Sequence, residues 1–286
     1  MTENEPLPPA LAELSEGVKH WVARFAEPIM KAETFEWEGD DGDQFYDFLI
    51  RSVVRRQYEA VAATVKMTEG GFGFFAVTML RPAYEEMVWL AYLKKHSDLA
   101  NELVSLLVRK ELCDNLEAQN DYLKVSQMAA VGFTQRHLKL IIAKNKPHLA
   151  RLKEIGRSLN WRDGALMPPF AFIARQVGRE KQYNYLYQAT SRFVHFSVQE
   201  NMRRVWGKSG KVTIASSNFS GYWSAFALSW GMRIFLDTYL HTDGVFNGPH
   251  LDESESEKLS NWLSELTHVP IITAEELQSW DRRRKS

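Results

Sequence analysis

The sequence predicts a mainly α-helical protein, a single-domain multi-helix bundle with one small β-hairpin near residues 203–216. Three observations carry this. Apolar residues recur at three- and four-residue intervals along almost the whole chain, the spacing that lines one face of a helix. The run RRVWGKSGKVTIAS is the one segment that reads as paired strands. No period of 20–50 residues repeats, which excludes a helical solenoid. At 286 residues, 45% of them hydrophobic and 25% charged, the chain is large enough to bury a core without disulfides or metals. Its nine Trp residues predict a core with polar partners for indole N–H groups.

The elements follow in order. Pro8–Pro9 suits the first turn of a helix running through VKHWVARFAEPIM. After the acidic run EWEGDDGD, Asp43 is the expected N-cap of a long helix, DQFYDFLIRSVVRRQYEAVAATVKM. Gly70, Gly71 and Gly73 separate it from FFAVTMLRPAYEEMVWLAYLKK, in which Pro82 marks a helix start or a kink. Ser97 is expected to cap a helix ending near Lys124, and Pro147 to bend or end the next one. A short helix, FAFIARQVG, precedes EKQYNYLYQATSRFVHFS. The hairpin, turning at Lys208–Ser209–Gly210, leads to the apolar stretch Phe219–Leu240 and to two C-terminal helices capped by Asp252 and Thr273. The expected organisation is an N-terminal helix and acidic loop over residues 1–40, a helical core over 41–245, and C-terminal helices over 246–286 that pack on the core or trail it.

Charge and composition exclude several function classes. A formal net charge of −1 offers no global electrostatic basis for nucleic-acid binding, although RNA stays open through local patches such as Arg203–Arg204. A single cysteine, Cys113, excludes an internal disulfide and a cysteine-based zinc site, and no cofactor or metal is expected. The start, MTENEPLPPALAEL, lacks the basic and apolar regions of a signal peptide. Phe219–Leu240 approaches the length of a membrane span but carries Ser224, Ser229, Arg233 and Asp237, so a cytoplasmic protein without membrane contact is expected. Arg233 and Asp237 lie one turn apart and are expected to pair. The phosphate loop, the GxSxG elbow and the HExxH pair are all missing; Glu69–Gly70–Gly71–Phe72–Gly73 has glycines without the Lys–Ser/Thr that a phosphate loop needs.

Two polar stripes stand out. Tyr183, Tyr187, Ser191 and His195 recur every four residues and fall on one helix face. Arg81, Glu85 and Trp89 do the same on another helix, where Arg81 and Glu85 can pair. Two readings fit this spacing. One is a satisfied buried network that only fixes helix register. The other is a pocket lined by Arg81, Glu85, Tyr187, Ser191 and His195, in which Arg81 holds an anion, Tyr187 or Ser191 orients a ligand, and His195 supplies a titratable imidazole. Should the pocket catalyse, His195, Ser191 and Tyr187 are the candidate catalytic residues, though no third residue is seen that would orient the histidine.

LRPAYEEMVWLAYL and, a hundred residues later, PPFAFIARQVGREKQYNYLYQATSRFVHFS together resemble the bacterial domain of unknown function 5677 family. The positions that carry the resemblance are Arg81, Glu85, Gly178, Tyr187, Ser191, His195 and Ser197, within a similarity spanning roughly residues 45–240. It implies a helical fold of the same kind and no assigned activity. A looser similarity is to the HEPN helical bundles, which include RNA-cleaving toxins and phage-defence effectors. Their Arg-x4–6-His pattern is departed from here: Arg192 precedes His195 by three positions and Arg233 precedes His241 by eight. The expectation is a ligand- or partner-binding helical protein of a bacterial stress or phage-defence setting. The alternatives are a metal-independent RNase-like effector using His195 with Arg81 or Arg192, and a purely structural or interaction protein. A small molecule, a protein partner and a second copy of the chain are the candidate partners.

Overall fold

The computed structural model describes residues 9–35, 44–208, 211–242, 245, 251–266 and 270–272. The expected helix caps Asp43 and Thr273, the hairpin turn residues Ser209–Gly210 and the proline Pro8 lie outside the described residues.

The fold is mainly α with one small hairpin. In order the elements are α1 (Pro9–Met30), α2 (Phe45–Glu69), the short α3 (Gly73–Ala76), a single 3-10 turn at Val77–Met79, α4 (Leu80–Lys95) and α5 (Ser97–Tyr122). Then come α6 (Val125–Ala130), α7 (Gln135–Ser158), α8 (Phe170–Gln176), α9 (Glu180–Val194) and α10 (Val198–Arg203). Strands β1 (Val205–Lys208) and β2 (Lys211–Ile214) precede α11 (Ser220–Leu240) and α12 (Glu253–Glu265). The strands are antiparallel, with Val205 opposite Ile214 and Lys208 opposite Lys211. The chain divides into two compact units: residues 1–34, 50–90 and 179–286 form one, and residues 35–49 and 91–178 form the other.

The first unit is organised around α11. This helix is apolar on all sides, the pattern of a helix surrounded by protein, and its Trp223, Phe226, Met232 and Phe235 are fully buried. Phe25 of α1 meets Phe235 and Tyr239 edge-on, with ring centroids 5.4 and 4.9 Å away. No described helix is long and apolar enough to cross a membrane. Arg233 and Asp237 do not pair with each other, as their spacing suggests. Arg233 donates to the carbonyls of Leu263 and Leu266 at 2.8 and 3.0 Å, at the C-terminal end of α12 where a cation complements the helix dipole. Asp237 instead pairs with Arg179 at 2.9 Å. Each charge has a partner on a different element, so the pair staples neighbouring segments. Asp252 caps α12 in a reciprocal capping box with Glu255, as its position predicts.

Pro82 sits in the first turn of α4, where a missing N–H costs nothing. Pro147 does not end its helix: α7 runs through it from Gln135 to Ser158. The helix buries Leu138, Leu152 and Ile155, and Arg151 holds Glu102 of α5 at 2.7 and 3.1 Å. Packing along α5 therefore outweighs one lost backbone hydrogen bond. Ser97 is the first residue of α5 and its cap is His96, one position earlier than expected.

In the second unit the indole N–H of Trp161 donates to the Tyr92 hydroxyl at 2.9 Å, both side chains being buried. This is the kind of polar partner the Trp content predicts. Tyr92→Phe leaves that N–H without an acceptor, and an equilibrium unfolding curve is expected to lose about 1–3 kcal/mol.

Candidate functional site

The two polar stripes of the sequence meet. Arg81 lies in the first turn of α4, and Tyr187 and Ser191 lie on α9, more than a hundred residues later. Arg81 Nε donates to Glu85 Oε1 at 2.9 Å, one turn along the same helix. The guanidinium lies over the Tyr187 ring, 4.8 Å from its centroid, and Tyr187 contacts Tyr183 with ring centroids 5.3 Å apart. Arg81 Nη1 reaches Ser191 Oγ at 3.5 Å and His195 Nε2 at 3.4 Å. Arg81, Glu85, Tyr187, Ser191 and His195 thus form one cluster with Arg81 at its centre.

His195 arrives there differently from the helical spacing. α9 ends at Val194, and His195 is its C-cap in an extended conformation, φ −111° and ψ 162°. Its N–H still donates to the Ser191 carbonyl at 2.9 Å, which keeps the residue one turn above Ser191. The helix stops because a new one starts: Ser197 is the N-cap of α10 and accepts from the Glu200 N–H at 3.3 Å. The imidazole is consequently exposed, where a continuing helix would have set it on the same half-buried face as Ser191.

The cluster lies at the surface and is only partly desolvated. The Arg81 side chain is 25% exposed and that of Glu85 36%. Burial works against the Arg81 charge, but the Glu85 hydrogen bond and charge, with Tyr187 and Tyr183, together outweigh it, so the guanidinium is held charged. Burial, reinforced by Tyr187, pushes the Tyr183 phenol up, so it remains a neutral hydroxyl. Arginine only donates, so where this contact is a hydrogen bond Nε2 is the acceptor. The Ser191 and His195 side chains both reach Arg81, and no hydrogen bond between those two side chains occurs among the described residues. The arrangement is that of acceptors gathered around a cation, without the base-to-hydroxyl contact that activates a serine. Among the described residues no group of three or more His, Cys, Asp or Glu side chains could hold a metal ion.

Sequence reasoning missed the residues that hold this corner. Glu200 and Arg203, both in α10, are 2% and 3% exposed. Arg203 Nη1 contacts both Glu200 carboxylate oxygens at 3.0 and 3.1 Å, and Arg192 Nη1 lies 3.6 Å from the same carboxylate. Arg203 Nη2 donates to the Ile271 carbonyl at 2.6 Å, and the guanidinium stacks 4.8 Å from the Trp223 ring. Burial pushes the Glu200 carboxyl up, against the pull of Arg203 and then Arg192. The signal was in the sequence: Ser197-x-x-Glu200 is a capping pattern, and Glu200-x-x-Arg203 is an i, i+3 ion pair. Arg192 belongs to this buried triad, so of the two arginines considered as partners of His195 it is Arg81 that meets it.

A family model, described as a family of unknown function, DUF5677, matches residues 47–212, more than half of the chain. The chain belongs to this family. The match contains both stripes as well as Glu200 and Arg203, so the DUF5677 segment spans the whole cluster together with the triad below it. Within it Gly178, at φ +73°, supplies the left-handed residue that follows α8. No curated protein and no solved structure matches the chain.

Proposed function

We propose that the protein binds a small molecule or a protein partner at the Arg81–Glu85–Tyr187–Ser191–His195 cluster. The observation that carries this reading is the state of the polar groups. They converge from two helices at a half-exposed position, and their contacts to Arg81 Nη1 are long, at 3.4 and 3.5 Å. A network that served only helix register would be buried and closed at shorter distances. A second feature supports it: Phe196, next to His195, is 87% exposed, and Val194 and Val198 flank it in the open. A ligand suited to these groups carries an acidic oxygen for Arg81 and Ser191 beside an apolar part for Phe196. A bacterial stress or phage-defence setting is part of the same reading, and phage plating on cells with and without the gene tests it.

The test is a thermal melt at pH 7 of wild type, Arg81→Ala and His195→Ala, repeated across a metabolite and nucleotide panel. Half-exposed groups in long contacts contribute less than about 1 kcal/mol, so both variants are expected to melt close to wild type. The stabilisation by a binding compound is expected to disappear in both. If instead both variants melt lower by the equivalent of about 1–3 kcal/mol and no compound shifts wild type, the cluster is architectural. The RNase-like alternative is decided by incubation with RNA: cleavage that His195→Ala abolishes makes this an enzyme site.

A further inference from the structure

The β1–β2 hairpin is anchored along β1 and open along β2. Trp206 of β1 packs edge-on against Phe219, with ring centroids 4.9 Å apart. Asn218 Nδ2 donates to the carbonyls of Arg204 and Thr213 at 2.9 and 3.2 Å, and so ties both strands together at the end away from the turn. Phe219 itself sits at φ +60°, a left-handed conformation that a bulky residue keeps only where its surroundings fix it. β2 is not covered: all four of its residues are exposed, Val212 at 53% and Ile214 at 78%. A two-stranded ribbon is marginal by itself, and an open apolar strand at its edge is a template for a further strand.

The register decides which main-chain groups face that edge. The Ala215 N–H donates to the Arg204 carbonyl at 3.0 Å, and ladder bonds recur at every second pair, so Trp206 with Thr213 and Lys208 with Lys211 are the bonded pairs. The N–H and C=O groups of Val212 and Ile214 therefore point outward, and no hydrogen bond to them occurs among the described residues. Their side chains share one face of the strand, with Lys211 and Thr213 on the other. This edge is complementary to itself. About a two-fold axis at Thr213, Val212 stands opposite the partner's Ile214 and exchanges two main-chain hydrogen bonds with it, and Ile214 does the same with the partner's Val212. The β-branched side chains of each pair then lie side by side, a favourable cross-strand combination. Lys211 falls opposite the partner's Ala215, so the lysines do not face each other.

We propose that β2 is a self-association edge, at which two copies of this chain join their hairpins into one four-stranded antiparallel sheet centred on Thr213. The contact is small, so the dimer is a weak, concentration-dependent one. It uses no residue of the Arg81 cluster.

Sedimentation velocity between about 1 µM and 1 mM is expected to show a reversible shift from monomer to dimer. Val212→Pro removes an outward N–H without touching the ladder to β1, the kind of position at which an edge strand accepts proline. It is expected to keep the wild-type far-UV spectrum and melting temperature while association weakens roughly ten-fold or more. Disulfide trapping reads the register. In the two-fold pairing Thr213 faces the partner's Thr213 as a non-bonded pair, with Cα atoms about 4.5 Å apart and within disulfide reach. The chain's single cysteine, Cys113, is buried. Thr213→Cys is therefore expected to give a covalent dimer on mild oxidation, and Lys211→Cys far less. A chain that stays monomeric over the whole concentration range overturns the proposal. So does a dimer unaffected by Val212→Pro, or trapping by Thr213→Cys no better than by Lys211→Cys; the cysteine pair decides even if Val212→Pro folds poorly.

Discussion

Glu200→Ala is expected to destabilise the protein by about 3–5 kcal/mol, the loss typical of breaking a buried ion pair from one side. Two guanidiniums depend on this carboxylate. Arg203 is 3% exposed and contacts both of its oxygens, and Arg192 approaches to 3.6 Å. Removing Glu200 takes away the carboxylate that the buried Arg203 and the partly buried Arg192 share. Glu200→Gln is expected to cost nearly as much, because the amide keeps the shape but not the charge. The double variant Glu200→Leu/Arg203→Met is expected to recover a substantial part of the loss, since replacing a buried pair with apolar side chains removes both desolvation penalties. What stays lost is the Arg203 donation to Ile271 and the charge of Arg192. Urea unfolding of the four proteins measures this directly, and Glu200→Ala within about 1 kcal/mol of wild type means that the triad is hydrated.

Gly73→Ala has the second large expected effect, a loss exceeding about 3 kcal/mol, above the usual range for an overpacked core site. A Cβ built on Gly73 would lie 1.7 Å from Ser224 Oγ, 2.7 Å from its Cβ and 2.9 Å from its Cα. The last of these is backbone of α11, the most buried helix of the first unit, so relief requires a shift of the helix itself. Ser224→Gly removes the two side-chain clashes and leaves the third. The Gly73→Ala increment is therefore expected to be clearly smaller in a Ser224→Gly background than in wild type, although the glycine itself costs about 1 kcal/mol in the helix. Equal increments in both backgrounds, read as denaturation midpoints, would show that α3 and α11 are not in this contact.

Most elements were legible in the sequence because they depend on neighbours a few residues away. Helical spacing, Pro82 at a helix start, Asp252 with Glu255 at a cap and the hairpin near residues 203–216 are local properties, and each appears where expected. The family membership was legible for a related reason: the motifs around Arg81 and His195 are short and contiguous. The departures have different sources. Arg233 and Asp237 take separate partners, and α7 continues past Pro147, because distant segments supply the contacts. His195 falls beyond the end of α9 for a local reason, the cap that Ser197 gives to α10.

The sequence by itself determined that the chain is helical, where two polar stripes run, and which five residues to place in them. Only the tertiary structure decided that Arg81 meets Ser191 and His195, that their contacts are long and half-exposed, and that Glu200, Arg203 and Gln57 are buried. The physical reason is that periodicity assigns a residue to a face, while burial and pairing depend on which other face the folded chain brings against it.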